Sequence, residues 1–206
     1  MMGRQGKAQI RTFTQTARRA QIVEAAIETL AESGYRKASF SRISQQAELS
    51  STGMISYHFS GKPELFSEVA RTILDTAQKL TTSRMSDERT HHGKLSAYIT
   101  SAFDFITTHP VHTRALIEIV TMIRDRQISG LDSVERSITS VDQLTDLLQQ
   151  GRDAGEFGIT DSLTTALAIR GAIDEILRHH LSRTTMDLNR CARELTTMVD
   201  RCVKSV

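Results

Sequence analysis

Apolar residues recur at three- and four-residue spacing in segment after segment of this chain, and this pattern constrains the fold more than any other feature. In the first such segment, the apolar residues on one helical face are Ile22, Val23, Ala26, Ile27 and Leu30. The chain contains only 2 prolines, so little interrupts its helical segments. No convincing run alternates apolar and polar residues over the length of a strand. The sequence therefore predicts an all-α fold.

Nine helices are predicted from this spacing and from local start and stop signals. They cover about 16–33, 39–47, 51–59, 61–83, 93–108, 110–127, 132–154, 161–183 and 187–204. Gly34 suits the left-handed cap of the first helix, and either Ser39 or Ser41 can cap the second. Residues 1–15 are polar and basic, and we expect them to form a flexible arm.

The charge is unevenly distributed along the chain, which has 26 Lys and Arg and 24 Asp and Glu among its 206 residues. Residues 1–62 hold nine basic and four acidic side chains, whereas residues 63–206 hold 17 basic and 20 acidic ones. This asymmetry indicates that the N-terminal part meets a polyanion and that the C-terminal part does not.

The segment from Phe40 to Phe59 has the features of a helix-turn-helix, in which two short helices are joined by a tight turn. In the second of these helices, Ile55 and Phe59 lie four residues apart and form a core anchor. Small hydroxyl side chains at the start of that helix allow a close approach to DNA, and its free N–H groups favour phosphate. Lys62 adds a positive charge just beyond it. Arg42, on the first helix, is long enough to reach a base edge, where arginine pairs best with guanine.

These features resemble the tetracycline-repressor (TetR) family of transcription regulators over about residues 17–66. The matching residues are Ile22-Val-Glu-Ala-Ala26, Gly34-Tyr35, Ala38-Ser39-Phe40, Ile43, Ala47, Leu49-Ser50, Gly53, Tyr57-His58-Phe59 and Gly61-Lys62-x-Glu64-Leu65. The resemblance implies a three-helix DNA-binding domain, which together with the basic arm predicted above covers residues 1–62. It implies a helical ligand-binding and dimerisation domain in residues 63–206, and a homodimer.

The candidate DNA contacts combine this resemblance with the chemistry of the side chains. They are Ser41, Arg42, Ser50, Ser51, Thr52, Met54, Ser56, Tyr57, His58 and Lys62. All of them except Ser50 and Ser51 match positions that touch DNA in the family. Ser56 stands where an aromatic residue or histidine is frequent, and Thr52 where lysine is frequent, so the operator sequence cannot be borrowed from relatives.

Each candidate also has a plainer interpretation. Tyr57 and His58 can be packing residues at a helix end, Arg42 can form a surface ion pair, and Met54 can face solvent. The adjacent pair Arg18 and Arg19 is expected to contact phosphate or to solvate the first helix. Further minor-groove or phosphate contacts are expected from the arm, through Arg4, Lys7 and Arg11.

The predicted function is a ligand-responsive DNA-binding transcription regulator. Repression is implied by the resemblance, because most members of the family are repressors. It binds a palindromic operator in double-stranded DNA as a homodimer joined through the last two helices, and a small-molecule effector of unknown identity releases it. The candidate ligand-contacting residues are Phe103, Ile119 and Met122. The alternative is a helical protein-binding adaptor that does not bind DNA.

Enzymatic function is not predicted, because the chain has no glycine-rich phosphate loop and no nucleophile or metalloprotease motif. Neither a metal nor a cofactor is predicted, since the histidines are expected to lie in loops or on the surface and no cysteine or carboxylate cluster has ligand spacing. Cys191 and Cys202 lie about three turns apart on one predicted helix and cannot bridge each other within it. They are expected to be buried or half-buried thiols, with a redox role left open. With no apolar run near the roughly 20 residues of a membrane span and no secretory signal, a cytoplasmic location is expected.

Overall fold

The computed structural model describes residues 3–125, 131–182 and 186–204, and within these ranges the chain forms ten helices. They are α1 (Gly3–Ser33), α2 (Phe40–Gln46), α3 (Gly53–His58), α4 (Lys62–Ser86), α5 (His91–Thr108), α6 (Pro110–Arg124), α7 (Asp132–Thr139), α8 (Asp142–Asp153), α9 (Ser162–Ser182) and α10 (Leu188–Val203). A single antiparallel bridge joins Phe157 to Lys204, and the described residues form no strand. The predicted all-α fold is confirmed.

The N-terminal arm is the largest departure from the predicted elements. Residues 3–15 belong to α1, so the prediction of a flexible arm is wrong for them. Extending an existing helix by a residue is far easier than nucleating one, and no proline interrupts the chain before the apolar face that begins at Ile22. The side chains of Arg4, Lys7 and Arg11 lie outside the described part of the structure.

The predicted helix over 132–154 is also wrong, because the structure breaks it into α7 and α8. At the break, the Ser140 hydroxyl donates to the Asp142 carboxylate (2.8 Å) and accepts from the Asp142 backbone N–H (3.3 Å). Elsewhere, α4 extends to Ser86 and α5 begins two residues early, with the Thr90 hydroxyl accepting from Gly93 N–H at 3.0 Å. The predicted ends of the sixth helix at 127 and of the eighth at 183 fall outside the described residues.

The first compact unit comprises the chain up to Leu74 together with Val111–Ser137. Its fully buried side chains include Ile22, Ile27, Leu30, Ile43, Ile55, Phe59, Leu65, Phe66, Val69, Ile73 and Ile119. The first helix ends as predicted at Gly34, which adopts a φ of +72° and donates its N–H to Leu30 O at 3.0 Å. The next N–H, that of Tyr35, donates to the Glu118 carboxylate of α6 at 3.0 Å, which ties this turn to α6.

The second compact unit comprises Asp75–Pro110 and the chain from Ile138 onward. In it, α5 packs against α8, α9 and α10. The core includes Leu95, Ile99, Phe103, Leu144, Leu148, Ala166, Ile173, Leu195 and Val199. The predicted division of the chain at residues 62 and 63 stays a prediction, because compactness alone does not locate functional domains.

Phe157 closes one end of the second unit. Its ring lies over Gly151 of α8, so close that a Cβ on Gly151 would sit 2.2 Å from two ring carbons. The His92 ring meets the Phe157 ring edge-on with centroids 4.9 Å apart. His92 also approaches the Asp200 carboxylate through Nδ1 (2.6 Å). These contacts hold the end of α10 against the turn that follows α8.

Two further expectations concern membranes and cysteines. The described helices offer no segment that combines the length and the apolar character of a membrane span.

Cys191 is half-buried beside the second core, as expected, but Cys202 is exposed, so the expectation of a buried or half-buried thiol is wrong there. An amphipathic helix end explains this, because α10 buries the neighbouring Val203 and turns the preceding position outward.

Candidate nucleic-acid interface

The helices α2 and α3 form the predicted helix-turn-helix. Ser39 caps α2, since its hydroxyl accepts from the Arg42 backbone N–H at 3.3 Å. The turn between the two helices is closed by the Leu49 N–H, which donates to Ser44 O at 2.8 Å. Within this turn Glu48 has a φ of +51°, a left-handed conformation that a non-glycine residue adopts only at an energetic cost.

α3 has only six residues, and two apolar side chains fix it to the first core. Ile55 and Phe59 are buried, as predicted. On the same short helix Tyr57 is 71% exposed, and Ser56 is also exposed. A helix this short is not stable alone, so its packing through Ile55 and Phe59 determines which side chains it offers to a partner.

The predicted DNA contacts fall into two groups by exposure. Exposed side chains are those of Ser41, Arg42, Ser50, Ser51, Thr52, Ser56 and Tyr57, and half-buried ones are those of Met54, His58 and Lys62. None of the ten is buried, which leaves each one accessible to a partner. Whether they contact DNA stays a prediction.

Several of these side chains have partners within the protein. The Arg42 guanidinium donates to the Ser33 hydroxyl at 2.8 Å. The Gln15 amide donates to the Tyr57 hydroxyl at 3.1 Å. The Lys62 ammonium lies 5.5 Å from the centre of the Tyr35 ring, within the range of a cation–π contact. These contacts order long side chains that solvent would otherwise leave free.

Arg19 differs from its predicted role. Instead of extending from the first helix toward phosphate or solvent, its guanidinium donates to His58 O at 2.6 Å and lies 4.1 Å over the Phe59 ring. Arg18, one residue earlier, donates to Gln21 within α1 at 2.7 Å. The sequence contains a signal for this difference. Arg19 lies three, four and seven residues before the buried Ile22, Val23 and Ala26, which places it on the same face of α1.

The candidate ligand-contacting residues are all buried, but they lie in different units. Phe103 belongs to the core of the second unit, whereas Ile119 and Met122 of α6 belong to the first. The second unit also has an open cleft of about 350 Å³, lined by Ile106, Thr107, Pro110, His180, Met186, Leu188 and Asn189. This lining does not include Phe103. In the described part of the chain, no group of three or more His, Cys, Asp or Glu is arranged to hold a metal ion.

The fold and the site define a helix-turn-helix domain of the kind that DNA-binding proteins use. Residues 22–69 match the model of a family described as bacterial regulatory proteins, tetR family. The matched residues include α2, α3 and the beginning of α4, so this part of the chain is similar to the DNA-binding region of TetR-family transcription regulators. The adaptor alternative, in which the chain does not bind DNA, finds no support in this match.

Solved structures share the fold along most of the chain. The fatty acid degradation regulator FadR from Bacillus halodurans is 20% identical with a TM-score of 0.75, and 88% of this chain and 93% of that one are covered. The transcriptional regulator FadR from Bacillus subtilis, in complex with stearoyl-CoA, is 21% identical with a TM-score of 0.74 (89% and 98% covered). A TetR family transcription regulator from Marinobacter aquaeolei VT8 is 14% identical with a TM-score of 0.72 (95% and 100% covered). No curated protein matches the sequence.

Proposed function

We propose that this chain is a transcription regulator of the TetR type, a repressor that binds a palindromic operator as a homodimer and leaves it when a small molecule binds. The observation that carries the DNA-binding part is the pattern of burial along α3 and the residue after it. Ile55 and Phe59 are buried, whereas Ser56 and Tyr57 are exposed. The family's habit, rather than any residue, is the reason for proposing repression. Bacterial DNA lies in the cytoplasm, so we propose that the protein acts there.

The proposed complex has two copies of α3 in successive major grooves. A palindromic operator presents its half-sites about 34 Å apart, one turn of the DNA helix. In such a complex Arg42 reads a base edge, and Lys62, with Tyr57 and His58, contacts phosphates. Ligand binding then favours a form of the dimer that is not competent to bind DNA, a shift of population between two states.

Salt dependence separates the two kinds of contact. Lys62→Ala is expected to weaken binding to every sequence alike and to lower the slope of log K against log salt by about 1, because one phosphate contact is lost. Arg42→Ala is expected to cost about 1–3 kcal/mol on the operator and to relax base preference. The measurement is fluorescence anisotropy with labelled DNA from the region flanking the gene, over a range of salt concentrations.

Lys79→Ala is the matched control for Lys62→Ala. Lys79 is an exposed lysine on the same helix, α4, but belongs to the second compact unit, so its removal should leave both affinity and slope unchanged. Wild-type protein that binds no DNA, or binds it without salt dependence, would contradict the proposal. Equal effects of the Lys62 and Lys79 changes would contradict the assignment of Lys62.

The proposed dimer interface is the outer face of the last two helices. Leu163 and Leu167, four residues apart on α9, are 51% and 54% exposed, and Met198 on α10 is 53% exposed. The opposite faces of these helices already pack into the second core through Ala166, Ile173 and Leu195, among others. A helix that is apolar on both faces, as α9 is here, is normally buried, whereas the exposed face of α10 is mostly polar apart from Met198. A second copy of the chain would cover this outer face.

Leu167→Asp is expected to convert the dimer to a monomer at micromolar concentration. A carboxylate buried without a partner costs about 3 kcal/mol or more, and a two-fold interface contains the change twice. Sedimentation velocity measures the result, and Val111→Asp is the control, since Val111 is also an exposed apolar residue (42%) but lies outside α9 and α10. A dimer that survives Leu167→Asp and not Val111→Asp would place the interface elsewhere.

We propose effector contacts at Phe103 in the second unit and at Ile119 and Met122 in the first. All three side chains are buried, so a ligand reaches them only by entering the apolar interior of their unit. The Bacillus subtilis neighbour is in complex with stearoyl-CoA, so acyl-CoA thioesters are the first ligands to add to the DNA-binding assay. Release of the DNA by one chain length and not by others would define the effector class.

A further inference from the structure

We propose that Arg19 is a positioning residue that sets the orientation of α3 against DNA without touching DNA itself. This inference rests on the proposed function, since α3 is the DNA-reading helix in that proposal. Arg19 lies on α1, and its side chain is 33% exposed. Its guanidinium contacts the end of α3 on one side and the carboxylates at the beginning of α4 on the other.

The first contact is with the end of α3. His58 is the last residue of α3, and its carbonyl is among those that a helix leaves without an internal partner. Arg19 Nη1 donates to this carbonyl at 2.6 Å, a charge-assisted bond at the negative end of the helix dipole. The guanidinium also lies 4.1 Å over the ring of Phe59, the buried residue that follows α3. Arg19 therefore holds α3 through both its backbone and its core anchor.

The second contact is with the beginning of α4. Arg19 Nη2 lies 3.3 Å from the Glu68 carboxylate and 3.6 Å from that of Glu64. Glu64 accepts in turn from the Ser60 backbone N–H and from the Ser60 hydroxyl, both at 2.8 Å. A chain of polar contacts thus runs from Arg19 of α1 through Glu64 of α4 to Ser60, in the connection at 59–61. The same guanidinium also binds the last carbonyl of α3.

The carboxylates of Glu64 and Glu68 are both ionised at neutral pH, as an ion pair with Arg19 requires. The Ser60 backbone N–H, then its hydroxyl and the charge of Arg19, lower the pKa of Glu64. Burial raises the pKa of Glu68, but the hydrogen bonds and charges of Arg71 and Arg19 outweigh it, so that its pKa is lowered overall. The positive charge of Arg19 is therefore balanced inside the protein, which distinguishes it from a cation that neutralises phosphate.

The consequence concerns how α3 is presented. A six-residue helix has few backbone bonds of its own, so its direction depends on what holds its ends. Without Arg19 the buried Ile55 still attaches α3 to the core, but the end that carries Tyr57 and His58 loses its polar support. Misplacement of that end by about 1 Å weakens every contact it makes, while the number of phosphates contacted stays the same.

The test compares Arg19→Ala and Arg19→Lys with Arg18→Ala, the adjacent arginine whose bond stays within α1. Anisotropy with the same labelled DNA is measured across salt concentrations. Arg19→Ala is expected to lower affinity about ten- to a hundredfold, the size of a lost charged hydrogen bond, with an unchanged salt slope. Lysine restores the charge but not the planar fork, so Arg19→Lys should stay at least about fivefold weaker than wild type, whereas Arg18→Ala should bind normally.

A second measurement does not depend on DNA. Hydrogen exchange of the amides in residues 53–59 should be faster in Arg19→Lys than in wild type and unchanged in Arg18→Ala. A salt slope lowered by about 1 in Arg19→Ala, full rescue by lysine, or unchanged exchange would each overturn the positioning role. Wild-type protein that binds no DNA while Arg19→Lys still accelerates exchange would overturn the proposed function and leave the structural role of Arg19 standing.

Discussion

Phe59→Ala is expected to remove about 3–5 kcal/mol from the free energy of unfolding of the first compact unit. The Phe59 side chain is 1% exposed, so its removal leaves a cavity where α3 joins the core, and it also removes the surface on which the Arg19 guanidinium rests. Since the chain lacks tryptophan, urea denaturation followed by far-UV circular dichroism is the suitable measurement. A loss of this size can unfold the first unit and leave a single transition from the second.

Tyr57→Ala is the natural control, because it removes an aromatic ring of similar size two residues away. That ring is 71% exposed, so stability should change by less than about 0.5 kcal/mol, whereas affinity for DNA should fall. The two changes therefore separate stability from DNA binding on one short helix. Similar losses of stability in both variants would show that the burial pattern of α3 differs from the one described.

Gly151→Ala is expected to destabilise the second unit by about 3 kcal/mol, near the upper end of the cost of overpacking. The new Cβ would lie 2.2 Å from two carbons of the Phe157 ring. The ring cannot move away freely, because His92 packs against it and the Phe157 backbone is bridged to Lys204. Helix propensity alone would give the opposite sign, since alanine stabilises a helix interior by about 1 kcal/mol relative to glycine.

A double-mutant cycle with Phe157→Ala tests this reason directly. When the ring is absent, Gly151→Ala should become neutral or stabilising, so the two changes should be strongly non-additive. Gly171→Ala on α9 is the control, since no described atom of the same chain lies within 4 Å of a Cβ built there. Gly171 follows Leu163 and Leu167 at four-residue spacing on the proposed dimer face, so this control is measured in the Leu167→Asp background, where it should not destabilise the fold. Additive losses at positions 151 and 157 would contradict the close contact.

The long helical segments and the inward residues of α3 could be predicted because apolar periodicity reports directly on burial. The break between α7 and α8 could not be predicted from periodicity, since apolar residues continue on both sides of it. The signal was local: the Ser140 hydroxyl accepts from the backbone N–H two residues later, a turn that competes with a continuous helix. The helical state of residues 3–15 could not be predicted from composition, because a polar and basic segment is typical both of a flexible arm and of an exposed stretch of helix.

The candidate site was predicted from residue type, which identifies chemistry but not direction. Arg18 and Arg19 are chemically the same, and only the helical register separates the one bonded within α1 from the one turned toward α3. Glu48 is a second example, since its left-handed backbone lies in the turn between α2 and α3 at a position with no glycine or asparagine to announce it. Such features depend on packing between elements distant in sequence, which a local pattern does not contain.

Some exposed side chains of the candidate interface already have hydrogen-bond partners within the protein, and these partners affect the enthalpy and entropy of binding DNA. Arg42 already donates to Ser33, and the Tyr57 hydroxyl already accepts from Gln15. An operator would exchange these bonds for new ones, so the heat released on binding would be smaller than a count of contacts in the complex suggests. In return, side chains already held in one rotamer lose less entropy when they bind, which favours a surface that is arranged before its partner arrives.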